Sequence, residues 1–221
     1  MKKIKFVLCS VLFMFIVFNS SMASETNFSE YNVDQIYNEM NLKEIINYDT
    51  FKNALNGFNK IRNRKNDLIT IVDFTKPSTK ERFYVLDLKK KSLLFKSVVA
   101  HGKNSGGDMA TSFSNKNGSH KSSLGFYLTE GTYFGGNGYS LRLDGLEKGI
   151  NDKAKERAIV VHGADYANPS AIKSLGRLGR SFGCPALPRN ISKQVIDTIK
   201  NGSVLYIHGN DSNYALLSDL T

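Results

Sequence analysis

From Leu68 onward the chain is a succession of short β-branched and apolar runs cut by turn residues, and this pattern most restricts its fold. Residues 68–74 (LITIVDF), 82–88 (RFYVLDL) and 92–100 (SLLFKSVVA) each have the length and composition of a strand. A Lys76-Pro77-Ser78-Thr79 turn and a Lys89-Lys90-Lys91 run separate them, which predicts a three-stranded antiparallel meander. Further short strands are expected at 124–129 and 139–143, with the glycine-rich stretch 131–138 between them, and at 158–161 and 203–208. Residues 101–121 are rich in Gly, Ser and Asn and carry no apolar period, so they read as a long loop, a feature that in compact domains is often functional. One helix is expected over 191–200, with Asn190 as its cap and Gly202 as its stop. Many strands, few helices and long loops at strand ends predict a mainly β sandwich or barrel.

Before the strands the period changes. Val33, Ile36, Met40 and Ile45 suit one amphipathic stripe, and Phe51, Leu55, Phe58 and Ile61 suit a second. Residues 24–66 are therefore expected to form a helical extension to a strand-rich domain over 67–221.

The first 23 residues have the layout of a secretory signal. Lys2, Lys3 and Lys5 precede an apolar run over 6–18, interrupted only by Ser10, and Ser21-Met22-Ala23 offers small residues for cleavage. Thirteen residues are too few for the ~20 that a membrane-spanning helix needs. Cleavage is therefore expected, leaving 198 residues with no transmembrane span in the mature chain. It removes three lysines and no acid, so a formal charge of +10 becomes +7. On a basic exported protein such a charge suits an anionic envelope better than nucleic acid, or serves only solubility, and charge alone does not decide between these. The content, 41% hydrophobic with 18 Gly and 4 Pro, excludes collagen-like, low-complexity and disordered classes.

Export gives the cysteine count its meaning. Cys9 would leave with the signal, and Cys184 would be the only thiol of the mature protein. A lone thiol in an oxidising compartment is an intermolecular link, a working nucleophile or a small buried hydrophobe. A nucleophilic thiol needs a base to form its thiolate, and four histidines are available: His101, His120, His162 and His208. His162 ends an apolar strand, is followed by Gly163 and precedes Cys184 by 22 residues. Gly183 lets a substrate approach the backbone, and the N–H groups of Gly183 and Cys184 are candidate oxyanion donors. The same SFGCP segment also reads as a Gly-Pro-bounded turn around a buried Cys.

These residues carry a resemblance. Residues 158–163, ending in His162-Gly163, followed by Ser181-x-Gly183-Cys184, resemble the active-site signature of the L,D-transpeptidase (YkuD-type) family, in its murein L,D-transpeptidase catalytic domain-like branch. The likeness runs from about residue 69 to 207. It includes Val99-Ala100-His101-Gly102, Ser122-Ser123-Leu124-Gly125-Phe126-Tyr127, Gly138-Tyr139-Ser140-Leu141-Arg142-Leu143 and Gly176-Arg177-Leu178-Gly179-Arg180-Ser181. Two positions depart from the wider family. Ala186 stands where an Arg usually follows the nucleophile by two residues, and Ser122-Ser123-Leu124-Gly125 stands for Thr-Pro-x-Gly.

The resemblance implies a cysteine acyltransferase of the periplasm or cell envelope that needs no metal or cofactor. Its partners would be peptidoglycan stem peptides; the oligomeric state is left open. Cys184 would attack the third residue of a tetrapeptide stem, His162 would move the proton, and Ser181 and Gly183 would complete the catalytic set. Tyr139, Arg142, Gly163, Arg177 and Arg180 are the expected substrate-binding residues. Tyr133 is a further groove candidate, and Arg189 is an alternative replacement for the missing Arg. An amine acceptor would give a 3→3 cross-link or D-amino acid exchange, and water would make the chain an L,D-carboxypeptidase. Papain-like and NlpC/P60-like hydrolases place the nucleophile before the His, and sortases carry a TLxTC segment not found in this sequence. A non-catalytic wall-binding protein of the same fold is the rival outside enzymes.

Overall fold

The structure, a computed structural model, describes residues 29–221. The expected signal over 1–23 lies outside the described residues. The described chain is mostly β. Two helices come first, α1 (Val33–Glu39) and α2 (Tyr48–Lys60). The meander follows as β1 (Leu68–Asp73), β2 (Phe83–Asp87) and β3 (Ser92–Ser97). A long loop leads to the hairpin β4 (Gly125–Gly135) and β5 (Gly138–Gly145), then β6 (Val160–Gly163) and α3 (Ser170–Leu175). The chain ends with β7 (Ala186–Leu187), α4 (Arg189–Ile199), β8 (Val204–His208) and α5 (Ser212–Leu217).

All eight described strands join one sheet in the order β3-β2-β1-β8-β4-β5-β6-β7. The last strand lies in the middle, parallel to β1 and antiparallel to β4. Beyond β3 the chain crosses to the far edge, where Ala100 and Ala186 exchange N–H···O bonds of 2.8 and 3.3 Å. Gly102 bridges to Ser181 next to it, so the sheet nearly closes into a barrel. Strands β1, β2 and β8 are buried along almost their whole length, which is why they read as continuous apolar runs.

The two amphipathic stripes fold as helices because each has an Asn cap. Asn32 Oδ1 accepts the Gln35 N–H at 2.9 Å, and Asn47 Oδ1 accepts from Asp49 and Thr50. Phe51, Leu55, Phe58 and Ile61 are buried and share one core with β1 and β8. Gly57 lets α2 come close, since a Cβ there would sit 2.1 Å from the Phe126 ring. At the other end of the chain, buried Glu147 accepts the Phe126 N–H and the Tyr214 and Ser218 hydroxyls, tying α5 to the hairpin.

Two expectations need correction. The stretch 131–138 is not a spacer, because β4 runs through Gly131 to Gly135 and turns at Gly136-Asn137. A bulge between Thr129 and Thr132 takes up the change of register. Asn190 does not cap α4, which starts at Arg189 behind Pro188. Among the described residues no helix is long and apolar enough to cross a membrane.

Candidate active site

Cys184 sits in the tight turn that enters β7, and His162 lies on β6. Because β6 and β7 pair in parallel with His162 level with Ala186, the imidazole and the thiol reach the same end of the barrel. Both line a cleft of about 360 Å³, together with Ser181 and Arg180. Five residues not picked out in the sequence as site residues also line it: Arg157, Ala158, Tyr166, Phe182 and Asn137.

The turn around Cys184 is fixed by its own polar groups. Ser181 Oγ donates to the Cys184 carbonyl at 2.6 Å and accepts the Gly183 N–H at 3.1 Å. The Ser122 hydroxyl donates to the Gly183 carbonyl at 3.0 Å and accepts the Gly102 N–H at 3.0 Å. Gly183 has φ +126°, and a Cβ there would lie 2.8 Å from Ile159 Cδ1 and from the Lys121 carbonyl. Only glycine fits that backbone and that space. These bonds correct one expectation: the Gly183 N–H is already used inside the turn, so it is no free oxyanion donor. The Cys184 N–H stands beside its own sulfur.

Cys184 is the free cysteine of the described residues and is 7% exposed. Burial pushes its thiol above the ordinary value, while the Val160 N–H at 3.5 Å and the charge of Arg157 pull it back. Burial also holds His162 below the ordinary imidazole value, which favours its neutral form. His162 Nδ1 lies 3.1 Å from the Gly163 carbonyl. A carbonyl only accepts, so Nδ1 carries the proton and Nε2 keeps its lone pair. Tyr166 packs its ring edge-on to His162 at 6.5 Å, and its hydroxyl bonds to no described residue. Gly179 fixes this tyrosine: its N–H donates to the Tyr166 carbonyl at 2.7 Å, and a Cβ would lie 2.4 Å from Tyr166 Cβ.

The other expected residues lie outside the cleft lining. The Tyr139 hydroxyl donates to Asp197 at 2.7 Å, and Arg142 lies over the Tyr133 ring. Arg177 folds back on the Leu178 carbonyl, and Arg189 pairs with Asp165. Gly163 leaves room for Ser192 of α4 and offers its carbonyl to His162. Of the arginines expected to replace the missing one, only Arg180 lines the cleft; its Nη1 donates to the Gly106 carbonyl at 2.9 Å. His101 is buried against Arg82, His120 stacks on Phe182, and His208 meets the Tyr206 hydroxyl. Among the described residues no group of three His, Cys, Asp or Glu side chains is placed to hold a metal ion.

Arg157 and Tyr166 escaped the sequence because nothing periodic marks them. Arg157 stands in an irregular turn segment, and Tyr166 lies in a single helical turn after β6.

No curated protein matches the sequence. Solved structures similar to it include the L,D-transpeptidase LdtMt1 in complex with imipenem (15% identity, 64% of this chain and 59% of that one, TM-score 0.39). Others are the helical cell shape determining protein Pgp2 from Campylobacter jejuni (16%, 67% and 49%, 0.43) and an L,D-transpeptidase from Stackebrandtia nassauensis (14%, 81% and 77%, 0.39). The chain spans 59–62% of the length of the first three such structures. A family model of the L,D-transpeptidase catalytic domain matches residues 42–208, from within the helical extension to the end of β8. The chain belongs to the L,D-transpeptidase catalytic domain family.

Proposed function

We propose that the chain is an exported cysteine acyltransferase acting on the tetrapeptide stems of peptidoglycan. The observation that carries this reading is the shared cleft of Cys184 and His162, with the His162 Nε2 lone pair left available. Family membership supports the substrate class.

His162 Nε2 takes the Cys184 proton, and the sulfur forms a bond to the carbonyl carbon of the third stem residue. The carbonyl oxygen becomes an oxyanion. The Cys184 N–H and the Tyr166 hydroxyl are the donors left to meet it, since Ser181 holds the Gly183 N–H. His162 then protonates the departing amine, and the terminal D-amino acid leaves a thioester behind. An amine from a neighbouring stem resolves the thioester to a 3→3 cross-link, and a free D-amino acid resolves it by exchange. Water as acceptor gives the second reading, an L,D-carboxypeptidase. The Arg180 Nη2 and Nε donate to no described residue and are suited to a substrate carboxylate. Signal cleavage after residue 23 and an envelope location complete the proposal.

Incubating the protein with disaccharide-tetrapeptides and reading product masses tests it. Release of the terminal D-amino acid is expected from the wild type and not from Cys184→Ala. A carbapenem should leave one adduct on the wild type and none on Cys184→Ala. Unchanged turnover by a folded Cys184→Ala would reject the nucleophile.

A further inference from the structure

The cleft wall beside the nucleophile carries a cation with no anion to match it. Arg157 stands three residues before β6 and is half-buried. Its Nη1 donates to the Ser114 carbonyl at 2.8 Å and to Ser123 Oγ. Its Nη2 donates to the Lys121 carbonyl at 2.6 Å and to Ser119 Oγ at 3.2 Å. All four acceptors are neutral, and among the described residues no carboxylate pairs with this guanidinium. The hydrogens of both terminal nitrogens are engaged, so Arg157 is not free to grip a substrate carboxylate with its fork. Its charge nevertheless lies at the site: a Cβ on Gly183 would sit 3.4 Å from Nη2, and Arg157 lines the cleft with Cys184.

The titratable and charged groups facing the sulfur are few. They are His162 from β6, Tyr166 from the turn after it, Arg180 from the loop before the nucleophile, and Arg157. Among the described residues no Asp or Glu lines the cleft. A partly buried guanidinium without a counter-charge is costly, and an anion formed next to it offsets that cost. Of the two cleft groups that ionise to an anion, Cys184 and Tyr166, the thiol has the ordinary value nearer neutral.

We propose that Arg157 is a positioning residue for the nucleophile, whose unpaired charge in the cleft wall favours the thiolate of Cys184 while its four hydrogen bonds tie the 114–123 loop to that wall. The inference rests on Cys184 being the nucleophile, but its test needs no substrate. The full chain is alkylated with iodoacetamide across pH 5–10, and modification at Cys184 is followed by peptide mass spectrometry, which separates it from Cys9. Arg157→Met should move the midpoint upward by about one pH unit or more, the usual effect of losing an opposite charge at this range. Arg157→Lys keeps the charge and should keep most of the midpoint. Ser123→Ala keeps the charge and loosens the loop, so it should lower the melting temperature and leave the midpoint in place.

An Arg157→Met midpoint equal to the wild type overturns the inference and leaves the nucleophile standing. A midpoint moved as far by Ser123→Ala as by Arg157→Met also overturns it, because loop placement and not charge would then act. If Arg157→Met does not fold, Arg157→Lys decides: a rise of a full unit overturns the inference, and a retained midpoint supports it. No alkylation of wild-type Cys184 at any pH rejects both the inference and the nucleophile.

Discussion

Gly57→Ala is a sharp test of how the N-terminal helices are seated. In an isolated helix this change is favourable by about 1 kcal/mol, because alanine loses less backbone entropy than glycine. Here the new methyl carbon would lie 2.1, 2.5 and 2.6 Å from Cζ, Cε2 and Cε1 of Phe126. Non-bonded carbons prefer ~3.5–4.0 Å, so the helix or the ring has to move by more than 1 Å. Neither moves freely. Phe126 is fully buried and stacks on Tyr206 at 4.3 Å, and α2 is fixed by Phe51, Leu55 and Phe58. Overpacking of this kind costs about 1–3 kcal/mol, and three close contacts to a trapped ring put it at the upper end. After the helix gain the net loss is about 1–2 kcal/mol, equivalent to a fall of roughly 2–8 °C in melting temperature. Urea titration and thermal melts followed by circular dichroism read this directly. Combining the change with Phe126→Leu, which removes the crowded ring atoms, should cost less than the two single changes together. An alanine variant more stable than the wild type by about the helix-propensity gain would show that α2 does not press on the sheet.

Three other outcomes are expected. His162→Ala should slow acylation of Cys184 by a carbapenem ~10²–10⁴-fold. Because burial holds His162 below the ordinary imidazole value, the acid limb of the wild-type rate should lie below about pH 6.5; a limb above 7 would contradict that environment. Tyr166→Phe should keep the melting temperature and slow acylation by ~10²-fold or more, and an unchanged rate would remove its hydroxyl from the oxyanion site. His101 is held down to about 4, first by burial and then by Arg82. The unfolded chain therefore binds this proton before the native one does, and the contribution to stability is complete above about pH 6.5 and is lost on the way down to about pH 4. That interval is worth roughly 3 kcal/mol, so urea titrations at pH 7 and pH 4.5 should differ less in His101→Gln than in the wild type.

The parts of the fold legible in the sequence are those in which one physical signal acts alone. Strands β1, β2 and β8 are buried on both faces and read as unbroken apolar runs. Helix α2 shows its stripe because Phe51, Leu55 and Phe58 face one core. The outer hairpin was not legible, since Gly131 and Gly135 have no side chain to alternate and the bulge at Thr129 shifts the register. Helices α3 and α5 have six residues each, too few for a period to appear. At the candidate site, counting thiols and the order of motifs single out Cys184 and His162, and the structure places both in one cleft. Arg142 and Arg177 lie outside that lining, since charge type says nothing about where a long side chain turns. The Gly183 N–H was misjudged for a related reason: Ser181 Oγ, two residues back, is an acceptor within reach of it.

The central place of β8 has a consequence for the chain as it is made. Residues 204–208 fill the gap between β1 and β4, and no earlier described strand pairs those two. Until they emerge, the nascent polypeptide can assemble only β1–β3 and β4–β7, joined at the Ala100–Ala186 bridge, with β1 and β4 exposing bare hydrogen-bonding edges and apolar faces. Such edges are sticky, and fragments ending before residue 204 should aggregate rather than fold. The finished sheet forms only after almost the whole polypeptide has left the ribosome. A protein built this way keeps its two central edges open until late in its synthesis, and the insertion of β8 is the step that completes its core.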